Sequence, residues 1–590
     1  MKTYKKLLYT VCLAGAIILT GCDSFLTADN KSSVTDVDYF STSAGFQSLV
    51  YDAYAQLKDI YNSSNVTTYF NSGTDLYQDG RGDIEAALHR WSNFTPENGT
   101  VKTFYIDCYD GIRSCLAIQY YAPAANVSDD VKQKAIDEGR FVEAMFYYLL
   151  VNNYGGVPLI TEYASTAVKG YPRATAEQVY TYIIDELKSI ISNNKLAAST
   201  ASQGGGEASI EAAKALLAKT YLSAAWDLNK NAYFTEAAKY ADEVINGRSL
   251  TTEFAKLWAA DRSGDDDGEF LFDIEYDYDS THDQTTGNRW QSFYSGYYGG
   301  SEEGMKNGSS GFVPLMHTLR YFEQGDKRCE PTFMKTLLVK KAWDPIAGFK
   351  ENGQPIGDYF AFYTNGETAL GKMVGVYYPA YWECDAASVN AWRAEDPENR
   401  SNTFIIPQND LTAGMEPMTN YIADLADYSD GIITKYDFTD AQKWSWAVNP
   451  CRKFDDCMTA DYNAGKSFRD LHIITLPEIF FVAAEAYYKL QDPKALARLN
   501  TVRKRAGLTD ATTIDLDVIL KESACEMFGN GYRRMDLRRM GKLVEYNNLY
   551  NPHLAGTAAA VIGDKLLWPI PQAAIDANEQ LTIADQNPGY

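Results

Sequence analysis

Two stretches carry the residues best suited to holding a ligand. Asn62 to Thr100 is rich in Gly, Asn and Asp and contains Asp75, Asp79, Arg81, Trp91 and Asn93. Asn288 to Gly304 reads NRWQSFYSGYYGGSEEG and sets Trp290, Phe293, Tyr294, Tyr297 and Tyr298 among glycines and serines. A flat aromatic ring pairs an apolar face with, in Trp and Tyr, a polar tip. Such faces suit the C–H side of a sugar ring, while Asn, Asp and Arg exchange hydrogen bonds with its hydroxyls. An arc of rings can follow the curve of a polymer without distorting it. Trp91, Trp290, Tyr294, Tyr297 and Tyr298, with Asn93, Asp75 and Arg81 as polar partners, are therefore the predicted ligand contacts. Each ring has an alternative role, packing locally or against another protein.

Catalytic and metal signatures are absent from the pattern. There is no HExxH, GxSxG or GxGxxG, and the five histidines are scattered, so no catalytic residue, metal site or cofactor is expected. Gly465-Lys466-Ser467 mimics the end of a phosphate loop whose first glycine is replaced by Ala460. Asp261 to Glu269 loosely resembles a calcium loop, but the ligand spacing fails and it reads as a solvated acidic turn. Glu478 and Glu485 share one helical face two turns apart. They read as salt-bridge partners, for instance of Arg503 or Arg505, rather than as catalytic acids. A glycoside hydrolase would need two carboxylates across a cleft, which spacing in sequence leaves open. The net charge of -24 excludes a phosphate-backbone partner, so no nucleic acid is expected. The 43 tyrosines exceed what a core readily uses, since each buried hydroxyl needs a partner; some should line a ligand surface.

The nine cysteines show neither zinc spacing nor CxxC. Cys108 and Cys115 lie two helical turns apart, roughly 10 Å along the axis and too far to bridge. Cys451 and Cys457 are close enough to pair across a loop.

These loops need a scaffold, and the clearest element of one is Ile474 to Leu508. Phe480, Ala483, Ala484 and Tyr487 make one helical stripe, and Ala495, Leu499 and Val502 make a facing one. Asp492-Pro493 starts the second helix and Gly507 ends it. A hairpin of this kind cannot bury its apolar face alone and needs stacked neighbours, as in tetratricopeptide arrays. Further helices are expected from Phe46 to Leu57, Thr103 to Tyr121, Asp129 to Asn153, Thr175 to Asn194, Ile210 to Trp226 and Phe234 to Asn246. Pairs before residue 250 and again after 470 predict one discontinuous scaffold. Between them, Glu269 to Tyr278 alternates apolar and polar residues and reads as a strand. The remainder to Arg469 is loop-rich, with short elements. At the N-terminus, Lys2, Lys5 and Lys6 precede the apolar run Leu7 to Leu19, which ends in Leu19-Thr20-Gly21-Cys22. This is a lipoprotein signal, too short to span a membrane, with Cys22 as the lipidated residue.

The runs AEAYYKL and ALARLNTVRKRAGL resemble the SusD/RagB-like family of outer-membrane nutrient-binding lipoproteins. Gly529 to Lys542 (GNGYRRMDLRRMGK), Leu567 to Tyr590 (LWPIP…QNPGY) and Tyr154 to Pro158 resemble it as well, and Asp326-Lys327-Arg328 is a landmark of that family. Asn530 stands where the family usually has an acidic residue. The resemblance implies a mainly α SusD-like fold: about four tetratricopeptide-like helix pairs with long irregular loops and a few short strands. It divides the chain into a signal peptide (1–21), a lipidated tether (22–40), an N-terminal helical part (41–250), a loop-rich insertion carrying the ligand face (251–470) and a C-terminal helical part (471–590). It implies a cell-surface lipoprotein of the outer membrane that binds glycan and works with a SusC-like TonB-dependent porin, without catalysis. A peptide-binding RagB-like role is the rival within the family, and a secreted glycoside hydrolase the rival outside it.

Overall fold

The computed structural model describes residues 35–590 except 63–65, 79–85, 201–205, 278–286, 295–311, 341–358, 360–361, 368, 402, 406–427, 430–431, 434–448, 459–465 and 552. Eight helices among the described residues pack in chain order, each against the next: α1 (Ser43–Tyr61), α2 (Gly99–Tyr121), α3 (Asp129–Tyr154), α4 (Ala176–Asn193), α5 (Ile210–Asp227), α6 (Asn231–Ile245), α7 (Leu476–Lys489) and α8 (Lys494–Arg505). They make the four expected pairs. The helix boundaries follow local chemistry. Thr42, Asn98, Ser128 and Ser209 each cap an N-terminus by accepting a backbone N–H, and Thr175 with Gln178 completes a capping box. Small residues set the spacing: a Cβ at Gly111 on α2 would lie 2.3 Å from the Phe146 ring on α3.

The predicted hairpin is α7 and α8. All seven residues of its two stripes are buried. Pro493 is the N-cap rather than the first helical residue, and the Asp492 carboxylate accepts from the Lys494 N–H at 2.8 Å. Gly507 takes the left-handed conformation, φ +78°, that ends α8. The hairpin's first two residues belong to a strand instead, β9 (Leu471–Thr475).

That strand pairs antiparallel with β2 (Phe270–Ile274), the strand anticipated near residue 270. Every residue of both strands is buried. Polar Asp273 is accommodated because its carboxylate lies 2.8 Å from His472 Nδ1 across the pair. The charge on that imidazole is favoured by Asp273 and Asp265, which outweigh burial and raise His472 to about 9. Two further sheets organise the insertion. β1 (Tyr77–Gln78) pairs antiparallel with β3 (Val313–Pro314). A five-stranded sheet has the order β4-β5-β6-β8-β7, with β4 Thr336–Lys340, β5 Ala369–Tyr377, β6 Phe404–Ile405, β7 Tyr428–Ser429 and β8 Ile432–Ile433. Residues 1–34, with Cys22, lie outside the described residues; the end of the expected tether, Asp36–Phe40, is a short helix. Cys108, Cys115, Cys451 and Cys457 are thiols.

The seam between α6 and α7 joins residues more than 230 positions apart, and it makes the discontinuous scaffold one stack. Asp242 on α6 accepts from Tyr487 Oη at 2.6 Å and from Arg498 at 2.7 Å. Trp226 Nε1 donates to Glu485 at 2.7 Å. Charge-assisted bonds of this kind contribute about 1.5–3 kcal/mol each. Asp242→Ala should therefore lower the urea midpoint, by about 2 kcal/mol of stability. Tyr487→Phe should add little on the Asp242→Ala background, because both substitutions break the same bond.

Candidate ligand-binding site

The two loop stretches singled out in the sequence rise from one root. Gln78, where the described part of the first stretch stops, pairs with Val313 in the β1–β3 ladder. Tyr294 precedes residues 295–311, and the chain is clasped on either side of them by the Phe312 N–H donating to the Phe293 carbonyl at 3.1 Å. The described residues next to both stretches, Gln78 and Phe312–Val313, therefore meet at one place; Arg81, Tyr297 and Tyr298 lie outside the described residues.

The root is built on the segment Gly529 to Arg534, which precedes and opens the short helix α9 (Arg533–Arg539). Arg533 donates to both oxygens of Asp75, at 2.8 and 2.6 Å, and Asp75 also accepts from Tyr321 Oη at 2.7 Å. Asp75 is fully buried. Burial alone would raise its carboxyl, but the guanidinium outweighs that and holds it below the ordinary carboxylate range. Tyr77 Oη accepts from the Gly529 N–H at 2.6 Å, and Tyr294 Oη donates to the Gly529 carbonyl at 2.5 Å. Only glycine fits there: φ is +84° and an added Cβ would lie 2.3 Å from the Phe454 ring. Arg534 is 5.5 Å above the Trp91 ring and 5.1 Å from that of Trp568. Burial draws its guanidinium down to about 9.

Several predicted contacts are corrected by this arrangement. Trp290 is 6% exposed; its indole N–H donates to the Tyr61 carbonyl at 2.8 Å and its edge meets Phe454 at 5.2 Å. Tyr294 is 1% exposed, set between Tyr77 and Phe454. Trp91 is 3% exposed, against Phe94 and Arg534. None of the three offers an open face for a sugar, and Asp75 offers no free oxygen to solvent. Trp290 and Tyr294 bury because carbonyls and neighbouring rings lie within reach, and Trp91 because Phe94 and the Arg534 guanidinium pack against its ring. Asn93 is exposed, in a left-handed turn at φ 53°.

The acidic residues weighed for chemistry are also paired. Glu478 meets Lys219 at 2.6 Å and Glu485 meets Arg539 at 2.7 Å; both are salt-bridged as expected, though with other partners. Arg503 and Arg505 instead hold Glu522 and Glu526. The acidic turn is only partly solvated: Asp265 accepts from Arg469 at 2.9 Å and Glu269 from Arg505 at 3.1 Å. The Asp326-Lys327-Arg328 landmark works through Arg328, which is fully buried and ties Asp326 (2.7 Å) to Glu522 (3.0 Å). What the sequence reading missed is that Arg533, Arg534 and Gly529 organise the loop root; the motif containing them was visible, its partners were not.

The sequence matches the SusD family over residues 268–590, more than half of the chain. It also matches, over residues 24–222, a SusD-like family described as starch-binding associating with outer membrane. The chain belongs to the SusD family. No curated protein matches it. Among solved structures, a SusD homolog from Bacteroides thetaiotaomicron is similar at TM-score 0.65 and 19% identity, covering 95% of this chain and 100% of that one. The surface glycan-binding protein A of the same organism, in complex with laminarihexaose, gives 0.62 and 19%, covering 92% and 99%. A laminarin-binding SusD-like protein gives 0.59 and 21%, covering 93% and 100%. These likenesses establish that this SusD-family chain has the SusD-like fold.

One departure within the SusD motif has a measurable consequence. Lys453 is fully buried, and its ammonium donates to the Glu526 carbonyl (2.9 Å), the Phe528 carbonyl (3.1 Å) and Asn530 Oδ1 (2.7 Å). Burial lowers it to about 7, with Glu526 only partly opposing. Between pH 7 and the ordinary lysine range the unfolded chain holds this proton and the folded one does not, so this group adds stability as pH rises through that window. Asn530→Asp restores a carboxylate 2.7 Å from the ammonium and should keep Lys453 charged throughout. The stability difference between Asn530→Asp and wild type, from chemical denaturation, should favour the variant at pH 7. It should shrink by on the order of 1–2 kcal/mol by pH 9. Taking the difference cancels the other titrating groups.

Proposed function

We propose that this protein is a cell-surface glycan-binding lipoprotein. In this reading it captures oligo- or polysaccharide on the loop-rich face and delivers it to a SusC-like TonB-dependent porin of the outer membrane for import. The observation that carries the reading is the shared root of the two polar and aromatic loops on a SusD-family scaffold. Asn93, Arg81, Tyr297 and Tyr298 meet the ligand. Asp75, Trp91, Trp290 and Tyr294 act from beneath, fixing where those segments emerge, so that little order has to be gained on binding. The solved relatives named for laminarihexaose and laminarin support a glycan over a peptide. Binding without catalysis is supported by the pairing of the candidate acids with arginines and lysines. The Leu19-Thr20-Gly21-Cys22 box supports anchoring through acyl chains on Cys22, each buried methylene contributing about 0.8 kcal/mol.

Calorimetry against a panel of neutral oligosaccharides and peptides separates the glycan and peptide readings. Tyr297→Ala with Tyr298→Ala should weaken the preferred glycan by tenfold or more, with an unchanged melting temperature. Asn93→Ala should cost severalfold. Unchanged affinity in all of them would remove the loop face as the site. Cys22→Ala should release the protein from the membrane fraction and abolish co-purification with a porin.

A further inference from the structure

A second cavity, remote from the loop root, has the make-up of a small-ligand site. It encloses about 600 Å³, within the roughly 300–1,000 Å³ typical of such pockets. Its walls come from the turn of helix Phe254–Leu257, the loop 325–331, the start of β4, the turn Tyr381–Glu383, Arg452 and the end of α8. None of its lining residues belongs to the stretches 62–100 or 288–304.

The one lining ring with an open face is Trp382, half-buried; Phe254 and Trp258 are buried in the wall behind it. Trp258 is held rigidly, with the Lys453 ammonium 4.3 Å from its ring and Phe454 edge-on at 5.5 Å. The polar part is charged residue by residue and close to neutral as a whole. Lys335 bridges Glu330 at 3.0 Å and Glu383 at 2.9 Å. Asp326 is neutralised by Arg328, and Arg505 by Glu269. Arg452 lies 4.3 Å from the Phe362 ring, which fixes one face of its planar fork. The cavity therefore presents donors and acceptors next to each other, beside one half-open ring, with charges of both signs interspersed. An anion would need excess cations, and an apolar ligand would strip water from these charges without replacing it. Ring hydroxyls, which both donate and accept, match such a lining, and a half-open indole suits the C–H face of the same ring.

The geometry points to this cavity as a second carbohydrate site, taking one or two residues of a neutral saccharide. It rests on the reading of the protein as a glycan binder and adds to it a site away from the loops. Two contact points on one chain raise the retention of a long polymer through effective concentration, without strengthening either contact.

The test is fluorine NMR of the purified intact protein labelled with 5-fluorotryptophan, the Trp382 resonance being assigned by Trp382→Phe. The probes are neutral gluco-, xylo- and manno-hexasaccharides and their disaccharides. The expected result is a saturable shift of the Trp382 resonance. Ala255→Trp, which fills the exposed rim of the cavity and removes no contact, should weaken that titration tenfold or more and leave the remaining shifts intact. Calorimetry should then fall from two sites to one with a hexasaccharide. If a saccharide binds while Trp382 is unmoved and Ala255→Trp has no effect, the cavity assignment is overturned and the loop-face reading stands. If none of the probes binds anywhere on the protein, both are overturned. Tighter binding of a uronate-bearing oligomer at Trp382 than of its neutral counterpart would overturn the assignment to a neutral ligand.

Discussion

The buried pair of Asp75 and Arg533 is the contact on which the loop root depends. A carboxylate and a guanidinium, 458 positions apart in the chain, meet away from water with two parallel hydrogen bonds. Each charge would be costly alone; losing one partner of such a pair typically costs 3–5 kcal/mol. The pair therefore specifies one arrangement of the early loop over the C-terminal motif. Tyr321 takes up a remaining lone pair of Asp75, and the backbone of Gly529 receives Tyr77 and Tyr294 on either side. The string GNGYRR is thus a junction: its arginines and glycine collect the roots of two loops that sequence separates by two hundred residues.

That junction sits on a stack whose continuity is equally non-local. α6 ends the N-terminal run and α7 resumes it after the long insertion, with Asp242 shared by Tyr487 and Arg498 across the seam. The C-terminal tail closes the other side. Trp568 donates its backbone N–H to the Asn153 carbonyl at 2.7 Å, and Asn587 donates to the carbonyls of Tyr154 and Trp568. The motif at Tyr154 to Pro158 and the motif at Leu567 to Tyr590 are two halves of one contact.

The tyrosines illustrate how composition can mislead. Their number suggested a surplus of rings for a ligand surface, on the ground that buried hydroxyls need partners. Partners exist in quantity: Tyr154 donates to the Val101 carbonyl, Tyr147 to that of Ile160, Tyr180 to Asp227, and Tyr61 meets Tyr532. Loop carbonyls such as that of Ile160, the second lone pair of a helical carbonyl such as that of Val101, and side-chain oxygens all lie within tyrosine's reach from the core. The same logic placed Trp290 inside, where a carbonyl at the end of α1 takes its N–H.

Sequence by itself determined the helices, their caps, the short hairpin at 476–505, the existence of a discontinuous scaffold and the lipoprotein box, because each is written in residues a few positions apart. Capping, i to i+4 stripes and a left-handed glycine are local physics. It also located the two stretches that share a root. Tertiary structure alone decided that Trp91, Trp290 and Tyr294 turn inward, since burial depends on what arrives from elsewhere in the chain. Asp75 reads as a free polar contact until Arg533 is brought to it, and Trp91 as a platform until Arg534 and Phe94 cover it. The cavity beside Trp382 was illegible for the same reason: its walls come from separate segments spread over 250 residues, and no window of sequence contains two of its aromatic residues with Arg452.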